Sequence, residues 1–192
     1  MKEFSSAILF FISVIAFGQE LIVENLSEAA LVLTKQKVKY DPTYFCIAYP
    51  NGDIPSDKGV CTDVIIRAQH MIGIDLQKEV HEDMKLNFNG YPKKWGLKTT
   101  DKNIDHRRVP NLMKFFERKG VVKIKSRKPE DYQSGDSICW NLSGVKTHIG
   151  IVISKKSVDG KHNLIVHNIG ARQVVEDCLF KFKITGHYRY QN

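Results

Sequence analysis

Apolar positions change their period near residue 120. Before that point they recur at three- and four-residue spacing; after it they alternate, or run in short blocks between turns. Leu26, Ala29, Ala30 and Leu33 mark a helix over residues 21–38. Val64, Ile65, Ala68, Met71 and Ile72 form the stripe of a second helix over residues 59–73, closed by Gly73. A third helix is expected over 76–86. A fourth spans 109–119, with Pro110 suited to a first turn and Gly120 as its stop. Residues 40–59 hold Pro42, Pro50, Pro55 and Asn51-Gly52 and read as loop. Five strands are expected: VVKI (121–124), SICWNL (137–142), HIGIVI (148–153), NLIVHNI (163–169) and one within FKITGHYRY (182–190). Helices followed by sequential strands predict an α+β fold, its N-terminal helices packed on one face of a C-terminal antiparallel β-sheet.

The first residues stand apart from this pattern. Residues 8–17 are apolar except for Ser13, follow Lys2, and end at Ala16-Phe17-Gly18, where small residues occupy the positions a signal peptidase reads. Residues 1–18 are expected to be a signal peptide, and 19–192 a single domain. The apolar run is shorter than the ~20 residues a membrane-crossing helix needs. The expectation is therefore a bacterial protein, periplasmic or secreted, with no stable membrane insertion after cleavage.

Composition narrows the function classes. With 42% hydrophobic and 26% charged residues the chain is an ordinary globular one. A net charge of +8 favours anionic partners. The basic residues are scattered, without runs interleaved by aromatics, which argues against nucleic acid. Cys46, Cys61, Cys139 and Cys178 are widely spaced and the histidines lack paired ligand spacing, so no metal and no cofactor is expected. Any disulfide among Cys46, Cys139 and Cys178 is left open.

Cys61 is the residue with chemistry to offer. It precedes Val64 by three positions and Ile65 by four, which places it on the buried stripe in the first helical turn. There the positive end of the helix dipole and the unsatisfied N–H groups favour thiolate. A base must then come from the sheet. His148 opens one strand and His167 lies near the end of the next, and a hairpin around 154–162 brings them opposite each other. The expected roles are Cys61 as nucleophile, His148 as base and His167 as the group that orients it. Asn168 takes the orienting role if the register shifts by one. The Cys61 N–H is the natural donor to an oxyanion.

The order helix-start Cys, GDSICW (135–140), HIGIV (148–152) and a following strand histidine resembles the NlpC-type papain-like cell-wall peptidases and amidases. More narrowly, AYPNGDIP (48–55), GVCTDVIIRA (59–68), VHEDM (80–84), NIDHRRVPNLM (103–113), HIGIV, HNIG (167–170) and GHYRY (186–190) are similar to the bacterial domain of unknown function 1287 family. The resemblance implies a papain-like (NlpC-type) fold and hydrolysis of an amide in peptidoglycan peptides through a thioester. One departure is that Val60, not Asp, precedes the cysteine, and Asp63 follows it. A papain-like acyltransferase or lipid-amide hydrolase, and a non-catalytic wall-binding module, remain alternatives.

Further candidates for contact with substrate are Asp63, Tyr49 ahead of the Cys61 helix, and His106, Arg107 and Arg108, whose two guanidinium groups suit carboxylates of a peptide stem. The bland expectation for Asp63 and Arg67, four residues apart, is a surface ion pair along the helix.

Overall fold

The computed structural model describes residues 25–170 and 172–190. The expected signal peptide and residues 21–24 of the first expected helix lie outside the described residues. Asn25 sets where helix α1 starts: its side chain accepts the Glu28 N–H at 3.1 Å, a cap worth about 1 kcal/mol. Helix α1 covers Leu26–Leu33 and stops short of residue 38, because its buried positions end at Leu33 and the residues beyond form only turn bonds. The chain then forms strand β1 (Lys39–Tyr40), parallel to the equally short β2 (Lys58–Gly59). Neither strand was expected from the loop-like composition there.

Helix α2 covers Cys61–Met71, α3 Leu76–Asn87 and α4 Val109–Arg118. Every residue of α2 from Cys61 to Gln69 is buried, so its contact surface is wider than one stripe. Met71, assigned to that stripe, lies instead at the exposed end of the helix. Gly73 ends it with φ +87° and an N–H bonded to the His70 carbonyl at 3.0 Å, a conformation glycine adopts without strain.

Strands β3 (Ser137–Ser143), β4 (Lys146–Lys156), β5 (Asn163–Ile169), β6 (Arg172–Glu176) and β7 (Lys183–Tyr188) form one antiparallel sheet in the order β6-β5-β4-β3-β7. The strand expected at 121–124 reduces to a single bridge between Val122 and Tyr188, with Val122 and Ile124 exposed. Strand β6 was not expected.

Alternation along the strands sorts two cores. Cys139, Ile149, Ile151, Ile153, Val166 and Tyr188 pack with all four helices. Ile138, Trp140, Val152 and Ile165 pack on the other face with Tyr132, Cys178 and Leu179. Because both faces are covered, the central strand reads as a continuous apolar run, HIGIVI. The mixed α+β architecture with helices against an antiparallel sheet is therefore present.

Candidate functional site

The first turn of α2 is fixed by two charged side chains. Asp63 accepts the Val60 N–H at 2.6 Å, closing the helix start. Arg107 grips the same carboxylate in two bonds, Nε at 2.8 Å and Nη2 at 3.1 Å, with both side chains about 2% exposed. Thr62 adds a bond from its hydroxyl to the Arg107 carbonyl. The expected Asp63–Arg67 pair is absent: Asp63 turns toward the helix start, and Arg67 instead pairs with Asp53 at 2.7 Å.

Cys61 projects from this turn toward the sheet. Its side chain lies in the same buried cluster as Ile149, and the backbone N–H groups of Ile149, Thr62 and Cys61 act to favour its thiolate. The direction of the Ile149 N–H follows from the ladder. Val152 directs both its N–H and its carbonyl toward the β3 side, to Asp136 and from Gly135. The odd-numbered residues of β4 thus face β5. Pairing of β4 with β5 is made at Val152 and Ile151 but not at Ile149. Asn168, which would stand opposite, sends its amide to the Gly59 carbonyl at 3.3 Å. The Ile149 N–H is therefore left facing the side where the β5 pairing is missing.

His148 is joined to Ile149 by one peptide bond, so sulfur and imidazole flank the same peptide group. The two side chains start from opposite sides of the strand: His148 lies with Trp140, ring centroids 6.0 Å apart, while Cys61 approaches from the helices. No hydrogen bond joins them among the described residues. His148 Nε2 is 2.7 Å from His167 Nδ1, and His167 Nε2 is 3.0 Å from Glu176 Oε2. An ionised carboxylate only accepts, so His167 donates from Nε2 and its Nδ1 accepts from His148 Nε2–H. This leaves His148 Nδ1 as the unprotonated nitrogen, making it the site for a transferred proton.

Electrostatics reverse one expectation. Burial pushes the Cys61 thiol up to about 11, outweighing the Ile149, Thr62 and Cys61 N–H groups that favour thiolate, and Asp63 adds to the rise. Burial likewise pushes His148 down to about 4, with His167 adding to the fall and Glu176 opposing it. His167 is also lowered by burial, against Glu176. The resting pair is thiol and neutral imidazole, since desolvation exceeds the helix-end effect.

A cleft of about 430 Å³ opens over Cys61, lined by Tyr40, Tyr44, Trp95, Arg108, Val109 and Thr147 among others. Arg108 lies over the Trp95 ring at 4.3 Å, and Trp95 holds that place with φ +71°. Of the expected substrate contacts only Arg108 and Arg107 reach this cleft, and the Arg107 guanidinium is already engaged by Asp63 and by the Thr43 carbonyl. Asp63 is enclosed beneath the helix start. His106 is buried away from the cleft, its imidazole pushed down to about 3 by burial, then by Arg107 and His81. Tyr49 packs edge-on against His81 at 5.3 Å, and Tyr40 and Tyr44 stand in the position proposed for it.

Glu176 was not singled out from the sequence, and Cys178 was considered only for a disulfide. The pair Val174-Val175 was the only β-type signal for β6, too short to predict a sixth strand that would have placed Glu176 beside His167. All four cysteines are free.

The chain is 51% identical over 151 residues to the Escherichia coli (strain K12) protein described as "Uncharacterized protein YijF", covering 79% of this chain and 73% of that one. Over residues 27–190 it matches the family described as "Domain of unknown function (DUF1287)". That span contains Cys61, His148, His167 and the cleft, and the chain belongs to the DUF1287 family.

Proposed function

We propose that this protein is an exported cysteine hydrolase of papain-like, NlpC-type architecture, an amidase or endopeptidase that cleaves an amide of peptidoglycan peptides through a thioester. The observation that carries the reading is a buried cysteine at the start of α2, packed in one cluster with Ile149, whose chain neighbour His148 has its Nε2 held by His167. The basic charge and the Arg108-bearing aromatic cleft suit an anionic peptide-glycan polymer.

With the thiol above the imidazole in proton affinity, attack proceeds by general base catalysis rather than from a standing ion pair. For this step His148 must leave its place beside Trp140 and bring Nδ1 around the strand to the sulfur. The proton passes from Sγ to Nδ1 as sulfur bonds to the carbonyl carbon, and the N–H groups of the first helical turn receive the oxyanion. His148 then gives the proton to the leaving amine, and water releases the acyl group from Cys61.

The test is digestion of purified sacculi by wild type and by Cys61→Ala, read by mass spectrometry of the soluble products. The expected result is a set of new peptide fragments with wild type alone. Identical profiles for the two proteins would remove the hydrolase reading.

A further inference from the structure

On the sheet face away from the helices, three unlike ligand groups meet at one point: His167 Nε2, a Glu176 carboxylate oxygen and Cys178 Sγ all lie within 4.8 Å of one another. The hairpin from β5 to β6 builds the cluster. His167 comes from β5 and Glu176 from the end of β6, and Cys178 follows two residues later. The Nε2 atom is 3.0 Å from Glu176 Oε2 and 3.9 Å from the sulfur. Zn²⁺ holds sulfur at about 2.3 Å and nitrogen at about 2.0 Å, so its ligand atoms stand roughly 3–4 Å from one another. The atoms of this cluster already have nearly that spacing.

The surroundings meet the other requirements of a metal centre. His167 and Cys178 are buried, while the Glu176 side chain is about a third exposed and gives an entry path. Lys181 holds the second Glu176 oxygen at 2.8 Å, and His148 holds the second His167 nitrogen at 2.7 Å. These are the outer partners that fix a ligand's orientation. One thiol, one imidazole and one carboxylate form a donor set suited to a borderline ion.

We propose that His167, Glu176 and Cys178 bind one Zn²⁺ ion, and that its binding reverses the hydrogen bond between His167 and His148. The ion displaces the Cys178 thiol proton to solvent and bonds to the Nε2 lone pair of His167. Neutral His167 then carries its proton on Nδ1 and donates it to His148 Nε2. Neutral His148 must in turn carry its own proton on Nδ1, the atom that would otherwise take the Cys61 proton. An occupied site disables the base, which makes it an inhibitory switch. The inhibition rests on the proposed role of His148; the binding and the reversal do not.

Cobalt titration of the mature protein tests the binding. One equivalent is expected, with a sulfur-to-cobalt charge-transfer band that persists in Cys61→Ala and is lost in Cys178→Ala. Zinc affinity, measured by competition with a chromophoric chelator, should fall at least about tenfold in Cys178→Ala and in Glu176→Gln, whose side chain sits at the surface and spares the core. No band in wild type, or a band that requires Cys61 and not Cys178, would overturn the site. For the coupling, saturating zinc should slow iodoacetamide labelling of Cys61 several-fold in wild type and leave Cys178→Ala unaffected. Equal labelling with and without zinc would overturn the inhibition. A cobalt band on Cys178 together with inactivity toward sacculi would leave the metal site standing and remove the hydrolase reading alone.

Discussion

At the scale of single residues, the Asp63–Arg107 pair does the most to hold the site. The carboxylate closes the α2 start and the guanidinium neutralises it in a place water does not reach. Asp63→Ala leaves a buried arginine unpaired and should cost about 3–5 kcal/mol in denaturant unfolding, whereas a loss below about 1 kcal/mol would mean the pair behaves as a surface one. The sequence could not disclose this partnership, because 44 positions separate the two residues and the nearer Arg67 offered a plausible helix pair. The places of Cys61, His148 and His167 along their elements were legible for the opposite reason, although the sequence did not show that Cys61 and His148 start from opposite sides of β4. One sits at a helix start and the others on a hairpin of calculable register, so local periodicity determines their positions. The proton affinity of Cys61 was not legible, since it depends on how completely α2 is enclosed.

At the scale of elements, the meeting of β4 and β5 governs the histidines. A Cβ at Gly150 would lie 2.9 Å from the Val166 carbonyl oxygen and 3.0 Å from His167 Cβ, contacts that backbone cannot relieve cheaply. Gly150→Ala should cost about 1–3 kcal/mol by overpacking. It should also lengthen the His148–His167 hydrogen bond, visible as a shift of the ring-nitrogen resonances. Unchanged stability and resonances would contradict this packing. Four helices and four of the five main-sheet strands were legible from period alone. The misses have physical causes: three of the four residues 121–124 are β-branched but find only one bridge beside β7, and β6 is a largely polar edge strand with little apolar signal.

At the scale of the whole molecule, neutral buried histidines tie stability to acidity. His148 and His167 both bind protons less readily when folded than when unfolded, so the unfolded state takes up more protons as pH falls. Stability from this source is complete above the ordinary histidine value of about 6.5 and is lost as pH falls toward 4, the His148 value. His106 acts in the same direction and Asp105, raised to about 6 chiefly by burial, acts against it. Comparing wild type with His148→Asn cancels these shared terms. The difference between their unfolding free energies should narrow on acidification from pH 7 to pH 4.5, and a constant difference would contradict a neutral buried His148.

These scales meet in the claim that the Cys61 sulfur takes up an acyl group. The direct measurement mixes the protein with isolated peptidoglycan peptides, quenches with acid within a turnover, and locates any adduct by peptide mass mapping. A peptide acyl group is expected on Cys61, lost on longer incubation as free product accumulates. Product formed with Cys61 unmodified at every time point, or an adduct on another residue, would contradict it.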